Sequence, residues 1–171
     1  MKMQRTALVS ALALVGAISA AQAQTNLGVL VRAGLFSPTD GEARNLGEAW
    51  FTGGAEISLG KFPFMNGGAG SNPLKLTFSV DAYSKEGASA VPVLANVVQY
   101  TSKNFFWSAG VGGAATHRSG FKDAFQLAYQ IGVGYDFGSS NSPITLQARF
   151  FSVNEVGSLL DGFAFTVGIR L

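Results

Sequence analysis

Apolar residues alternate with small or polar residues along most of this chain. The clearest run is Phe125 to Gly138, FQLAYQIGVGYDFG, whose odd positions are all large and apolar and whose even positions are Gly, Ala, Gln or Asp. Successive side chains of a β-strand point to opposite faces, so a period of two predicts a strand with one apolar face. Eight such runs follow one another, at 27–36, 50–60, 74–84, 90–100, 105–116, 125–137, 143–152 and 162–171.

Turn-rich segments such as SKEGA, TSKN and GSSNS separate these runs, and none of them has a sustained helical period. Hairpin after hairpin predicts an all-β, antiparallel, up-and-down arrangement of eight strands. The run AVPVLANVVQY at 90–100 carries apolar residues on both faces and a proline. Its phase therefore stays open.

The N-terminus has the features of a secretory signal peptide. Lys2 and Arg5 precede a short apolar stretch that ends in Ala21-Gln22-Ala23, a small-x-small cleavage pattern. We expect residues 1–23 to be removed and residues 24–171 to form the mature domain. Twelve basic residues less Lys2 and Arg5 leave ten, equal to the ten acidic residues, so the mature chain is formally neutral and no nucleic-acid partner is expected.

The composition excludes several kinds of chemistry and indicates a membrane. The chain has no cysteine and one histidine, so we expect no disulfide, no metal site and no cofactor. Charged residues make up 13% of the chain, against about 25% in a typical soluble domain. The mature part has no run of 18 or more apolar residues; a closed β-barrel is the other structure that can span a bilayer.

Two barrels fit eight alternating strands: a soluble, lipocalin-like periplasmic lipid carrier with its apolar face inside, and an outer-membrane barrel with its apolar face towards lipid. An eight-stranded interior is barely wide enough for side chains, so small residues and balanced ions suit it better than rows of Phe and Leu. We therefore predict a transmembrane barrel. The charged residues on the polar faces are expected to form an ion network in the lumen: Arg32, Glu56, Lys75, Asp81, Asp136, Arg149 and Arg170.

Aromatic residues on the apolar faces gather near the strand ends, which is typical of the two girdles of a lipid-facing barrel. One predicted girdle contains Phe105, Trp107, Tyr135 and Phe137, and the other contains Phe51, Phe125, Phe150, Phe163 and Phe165.

The eight-run meander ending in FAFTVGIRL resembles the small outer-membrane β-barrel proteins of the OmpA transmembrane-domain, OmpX and opacity-protein class. The resemblance covers essentially the whole mature chain. It implies a monomer in a bacterial outer membrane, in contact with lipid and lipopolysaccharide, whose last strand is read by the outer-membrane assembly machinery. That strand usually ends in an aromatic residue in this family, whereas this chain ends in Leu171.

The leading functional interpretation is a non-enzymatic barrel with a structural or interaction role and a lumen plugged by side chains. One alternative is a narrow channel for small or hydrophobic molecules. Another is lipid A deacylation, because His117-Arg118-Ser119 is locally similar to outer-membrane lipid A deacylases, in which a His activates a Ser to attack an ester. Those enzymes also need a carboxylate that orients the His. The comparable downstream segment QIGVG has none, and Asp123 or Glu155 could substitute only if the loops bring them close.

Overall fold

A computed structural model describes residues 28–61, 74–137, 143–154 and 158–171. Its eight strands are β1 (Val29–Pro38), β2 (Trp50–Lys61), β3 (Lys75–Lys85), β4 (Ala88–Tyr100), β5 (Phe105–Arg118), β6 (Ala124–Phe137), β7 (Ile144–Val153) and β8 (Gly162–Arg170). A short helix, α1 (Gly41–Leu46), lies between β1 and β2. Among the described residues, no helical segment has the length and apolarity needed to cross a bilayer.

The strands form one closed antiparallel barrel in chain order. β8 pairs with β1 over nine residues, from Leu30 opposite Arg170 to Pro38 opposite Gly162, so neither edge of the sheet is left unpaired. The predicted fold class is therefore confirmed. Both termini of the described barrel lie at one end, here called the terminal end. The connections β1–β2, β3–β4, β5–β6 and β7–β8 lie at the other, here called the loop end.

Alternation assigns every strand one lumen face and one outward face. In β6 the outward side chains are exposed, while Ala128, Gln130, Gly132 and Gly134 point inward and are buried. Pairing with β5 also determines the phase of β4. Leu94 and Asn96 are buried in the lumen, and Val91 and Val93 face outward.

The loop-end half of the lumen holds an aromatic core that alternation alone did not predict. Phe36 stacks on Tyr83 with ring centroids 4.0 Å apart, and Trp50 and Phe151 pack beside this pair. The Tyr83 hydroxyl donates a hydrogen bond to the backbone carbonyl of Leu160 at 2.9 Å, which ties the β7–β8 connection to this core.

Helix α1 packs one residue, Ala43, into the same core. Its N-cap is Asp40, whose carboxylate accepts hydrogen bonds from the backbone N–H groups of Glu42 and Ala43. A capping carboxylate satisfies amides that have no partner within the helix, so Asp40 stabilises the first turn of this short helix.

Candidate active site

His117 is the penultimate residue of β5, at the loop end of the barrel. It pairs with Ser89 of β4 and follows Ala115 on the outward face. Its Nδ1 lies 2.6 Å from Oδ1 of Asp123, and the two side chains are 42% and 61% exposed. A carboxylate bonded to Nδ1 fixes the tautomer of the ring and leaves Nε2 available as a base.

Ser119 begins the turn that joins β5 to β6. Its backbone N–H donates to the carbonyl of Gly87 in the β3–β4 turn at 2.7 Å. Its hydroxyl oxygen lies close to the position that a Cβ on residue 87 would take. Gly87 and Gly120 both have positive φ, at 81° and 85°, a region that favours glycine. Two tight turns thus hold Ser119 against Gly87, two residues after His117 in the chain. Within the described residues no hydrogen bond joins them, and such bonds often tighten only with substrate bound.

A shallow groove of about 290 Å³ lies on the outside of the barrel wall and includes His117 and Asp123 in its lining, whereas Ser119, in the β5–β6 turn, is not one of its lining residues. Its lining comes from β4, β5 and the start of β6: Ser89, Val91, Ala115, Thr116, His117, Asp123, Ala124 and Phe125. One end of the groove is therefore polar and carries the His–Asp pair, and the other end is apolar. This arrangement suits a substrate with a polar headgroup and an apolar chain.

The turn next to this groove is also linked to α1. Arg118 Nη2 lies 3.2 Å from Glu42 Oε2, and its guanidinium stacks over the Phe121 ring at 4.6 Å. Glu42 is well exposed, and exposed pairs contribute at most about 1 kcal/mol. The link orients the turn more than it stabilises the fold.

The charged residues predicted for the lumen fall into two groups. In the first, Arg32 donates to Glu56 at 2.7 Å and, through two nitrogens, to Asp81 at 2.9 and 2.7 Å. Arg149 reaches the same Asp81 carboxylate at 2.9 and 3.0 Å. β3 and β7 lie on opposite sides of the closed strand order, so the Asp81–Arg149 contact crosses the lumen.

The second group lies at the terminal end, around Tyr100. The Tyr100 hydroxyl donates to Asp136 at 2.7 Å, Arg170 donates to that hydroxyl at 3.4 Å, and the Lys75 ammonium lies 4.7 Å from the centre of the Tyr100 ring. Arg170 is thus placed with Asp136 rather than with the Arg32 group.

The structure places all nine residues of the predicted girdles on the outward face. Phe105, Trp107, Tyr135 and Phe137 lie towards the terminal end, and Phe51, Phe125, Phe150, Phe163 and Phe165 lie towards the loop end. Of the two carboxylates considered for the histidine, Asp123 is the one in contact with it, and Glu155 lies outside the described residues. No cluster of potential metal ligands occurs among the described residues.

Residues 45–152 match the lipid A 3-O-deacylase (PagL) family. No curated protein sequence matches the chain significantly.

Several solved structures share the fold. Neisserial surface protein A (NspA) is 10% identical, with 86% of this chain and 97% of that chain covered and a TM-score of 0.58. The Yersinia pestis outer membrane protein Ail is 11% identical, with 86% and 100% covered and a TM-score of 0.54. The outer membrane enzyme PagL is 15% identical, with 83% and 98% covered and a TM-score of 0.52. The likeness to small outer-membrane barrels is thereby confirmed, and the match to the lipid A 3-O-deacylase family supports an outer-membrane location.

The family match corrects the functional interpretation. A non-enzymatic barrel was expected because QIGVG holds no carboxylate, and that expectation was wrong. The segment lies inside β6, several residues from His117, whereas the β5–β6 turn returns Asp123 directly to the imidazole.

Proposed function

The chain belongs to the lipid A 3-O-deacylase (PagL) family, and on that premise we propose that it hydrolyses the ester linking an acyl chain to the 3-position of lipid A. Ser119 is the nucleophile, His117 the general base and acid, and Asp123 the group that orients the histidine. The observation that carries the assignment is the contact of 2.6 Å between His117 Nδ1 and Asp123 Oδ1, two residues along the chain from Ser119 and at the polar end of a groove on the barrel wall.

In the first half of the reaction, the Ser119 hydroxyl attacks the ester carbonyl carbon while Nε2 of His117 takes its proton. The tetrahedral intermediate collapses as the bond between the carbonyl carbon and the sugar oxygen breaks. The imidazolium gives its proton to that oxygen, so the sugar leaves as an alcohol and the acyl group stays on Ser119. The Asp123 carboxylate stabilises the imidazolium throughout this step.

In the second half, water attacks the acyl-serine carbonyl and His117 takes one proton from it. The bond from the carbonyl carbon to Ser119 Oγ then breaks, and the proton on His117 returns to the serine. The fatty acid leaves and the enzyme is restored. The cycle consumes one water and needs no cofactor.

The position of the groove supports a lipid substrate taken directly from the membrane. The groove opens on the same outward wall as exposed rows of Phe, Leu and Ile, which in an outer-membrane barrel contact acyl chains. We propose that the loop end faces the cell exterior, so that Ser119 lies at the level of the ester groups of lipopolysaccharide in the outer leaflet. This topology requires export, with signal peptide cleavage after Ala23, and assembly through β8.

The other interpretations lack comparable support. A channel is not favoured, because the Asp81–Arg149 contact crosses the lumen and the aromatic core fills its loop-end half. A soluble lipid carrier is not favoured either, because the apolar rows face outward rather than into a cavity.

The decisive experiment compares the wild-type barrel with Ser119→Ala, both refolded in mixed detergent–phospholipid micelles with purified lipid A. Mass spectrometry of the lipid follows loss of the 3-O-linked chain and release of the free fatty acid. We expect Ser119→Ala to lower the rate by about 10³-fold or more, as removal of a catalytic serine does. Ser102→Ala, in the β4–β5 turn at the terminal end, is the matched control with wild-type rate. A folded Ser119→Ala variant that still deacylates lipid A would refute the assignment.

A further inference from the structure

Below His117 the outward face of β5 carries unusually small side chains. Ala115 lies in a row between Val91 of β4 and Phe125 of β6, and Gly113 lies in the next row between Val93 and Leu127. Val111, one row further on, is large and more than half exposed. The small residues of β5 therefore form a slot two rows long that leads from the histidine towards the middle of the barrel wall.

The ring of Phe125 lies across this slot. Phe125 is opposite Ala115 in the β5–β6 pairing, so Gly113 is its diagonal neighbour, a position that an aromatic side chain can reach. A Cβ placed on Gly113 would overlap the Phe125 ring. Gly113 is accordingly buried although it faces outward, whereas Phe125 itself remains 74% exposed. Glycine at 113 thus leaves the space that the Phe125 ring occupies against the wall.

The Phe125 ring therefore lies at the membrane-side end of the groove. Within the lining, Val91, Ala115 and Phe125 form one apolar row across β4, β5 and β6, and Ser89 and His117 lie in the adjacent row towards the loop end. From His117 to Gly113 is about 14 Å along the strand, at ~3.4 Å per residue. A chain that enters at the catalytic end meets the ring before it reaches Gly113.

We propose that the groove binds the acyl chain of the ester under attack, and that Phe125 seated on Gly113 limits the length of chain that the enzyme cleaves well. This inference rests on the proposed deacylase function and adds the group that selects among its substrates. The occupant is an acyl chain because the groove is continuous with the catalytic pair at one end and with the lipid-facing wall at the other. The segment of a long chain beyond the ring must leave the wall and pack against bilayer lipid.

The selection is expected to be modest. One methylene in a pocket shielded from water changes specificity by about 10–200-fold. Here an acyl segment that leaves the groove enters bilayer lipid, which is as apolar as the groove itself. Only packing against the barrel wall therefore distinguishes a chain that fits the groove from one that is too long. We expect a preference of about 3–10-fold for the shorter of two chains that differ by four methylene groups, which is much less per methylene than a pocket shielded from water gives.

The test uses two lipid A substrates whose 3-O-acyl chains differ by four methylene groups and measures the ratio of kcat/KM for the long chain to that for the short chain. Phe125→Ala opens the slot over Gly113 and is expected to raise this ratio about 3–10-fold, on the reasoning for pocket methylenes. Gly113→Ala displaces the ring and should raise the ratio less. Phe165→Ala, another exposed outward phenylalanine but on β8, is the matched control and should leave the ratio unchanged.

A ratio is insensitive to the fraction of folded protein, and Phe125→Leu provides a second folded variant with an intermediate ratio. An unchanged ratio in Phe125→Ala would overturn the proposal, as would an equal change in Phe165→Ala. Either result leaves the deacylase assignment intact if Ser119→Ala remains inactive. Deacylation that persists in Ser119→Ala would instead remove the catalytic site on which the groove depends.

Discussion

Asp123→Asn isolates what the carboxylate contributes to the proposed catalysis, because it removes the charge and keeps the shape. Asp123 Oδ1 lies 2.6 Å from His117 Nδ1, and both side chains are partly exposed. If the pair were only an exposed ion pair, worth about 0.2–1 kcal/mol, the rate would fall less than ~5-fold. A buried orienting aspartate is worth ~10⁴-fold, because its amide replacement selects the wrong tautomer.

The exposure of this pair places the expected effect between those limits. Water can partly replace the lost carboxylate as acceptor for Nδ1–H, which a buried triad does not permit. We therefore predict that Asp123→Asn lowers kcat by about 10²-fold, equivalent to ~2.7 kcal/mol, and leaves KM nearly unchanged because Asp123 acts through His117 rather than on the substrate.

The assay is initial-rate deacylation of lipid A in mixed micelles over a range of surface concentrations, with folding checked by heat-modifiable electrophoretic mobility. Asp123→Glu retains the charge and should recover part of the loss. Glu48→Gln removes an exposed acid from the β1–β2 connection and should behave as wild type. A loss below ~5-fold in Asp123→Asn, no greater than an exposed pair supplies, would refute the orienting role.

Two further predictions concern the barrel itself. Asp81→Asn leaves the guanidinium groups of Arg32 and Arg149 without their shared carboxylate, so we expect the free energy of unfolding to fall by about 3–5 kcal/mol. Urea titration in lipid vesicles measures this change. A loss below ~1 kcal/mol, which is what a surface pair contributes, would contradict the closed lumen. Ile131→Lys, at the centre of the outward face of β6, should lower the free energy of unfolding by about 2–4 kcal/mol in the same titration. Phe163→Lys, at a strand end, should lower it by only ~0–1 kcal/mol. Equal losses in the two variants would contradict the lipid-facing assignment.

The number of strands followed from alternation, because the direction of a side chain in a strand depends only on parity, and their order followed from the succession of hairpins. All eight predicted runs overlap the observed strands. Parity could not determine the phase of β4, since Leu94 and Val93 are equally apolar and point to opposite faces. The hydrogen-bonded registers with β3 and β5 distinguish them.

The lumen composition was predicted in part. Balanced charges suited a narrow interior, but Phe36, Tyr83 and Phe151 also point inward at the loop end. The signal was present, since each of these aromatics interrupts or extends a polar row, but their partners come from strands far apart in the chain. Stacking of Phe36 on Tyr83 is a tertiary contact that no local period encodes.

The candidate site shows the same division. His117 and Ser119 were recognisable by their spacing, whereas the role of Asp123 depends on how tightly the β5–β6 turn closes. That turn has a positive φ at Gly120, and the N–H of Phe121 bonds back to the carbonyl of Arg118. Asp123 lies six residues after His117. The two side chains meet because the turn between them is tight, and the sequence spacing alone does not show this.

The most direct test of an outward-facing serine hydrolase is covalent labelling with a lipophilic fluorophosphonate, which reacts with activated serines, followed by peptide mass spectrometry. In the wild-type barrel embedded in vesicles, we predict one adduct on the peptide containing Ser119, and loss of that adduct together with deacylation in His117→Ala. An adduct on a different residue that tracks with deacylation, or undiminished deacylation by a barrel fully labelled at Ser119, would contradict the assignment.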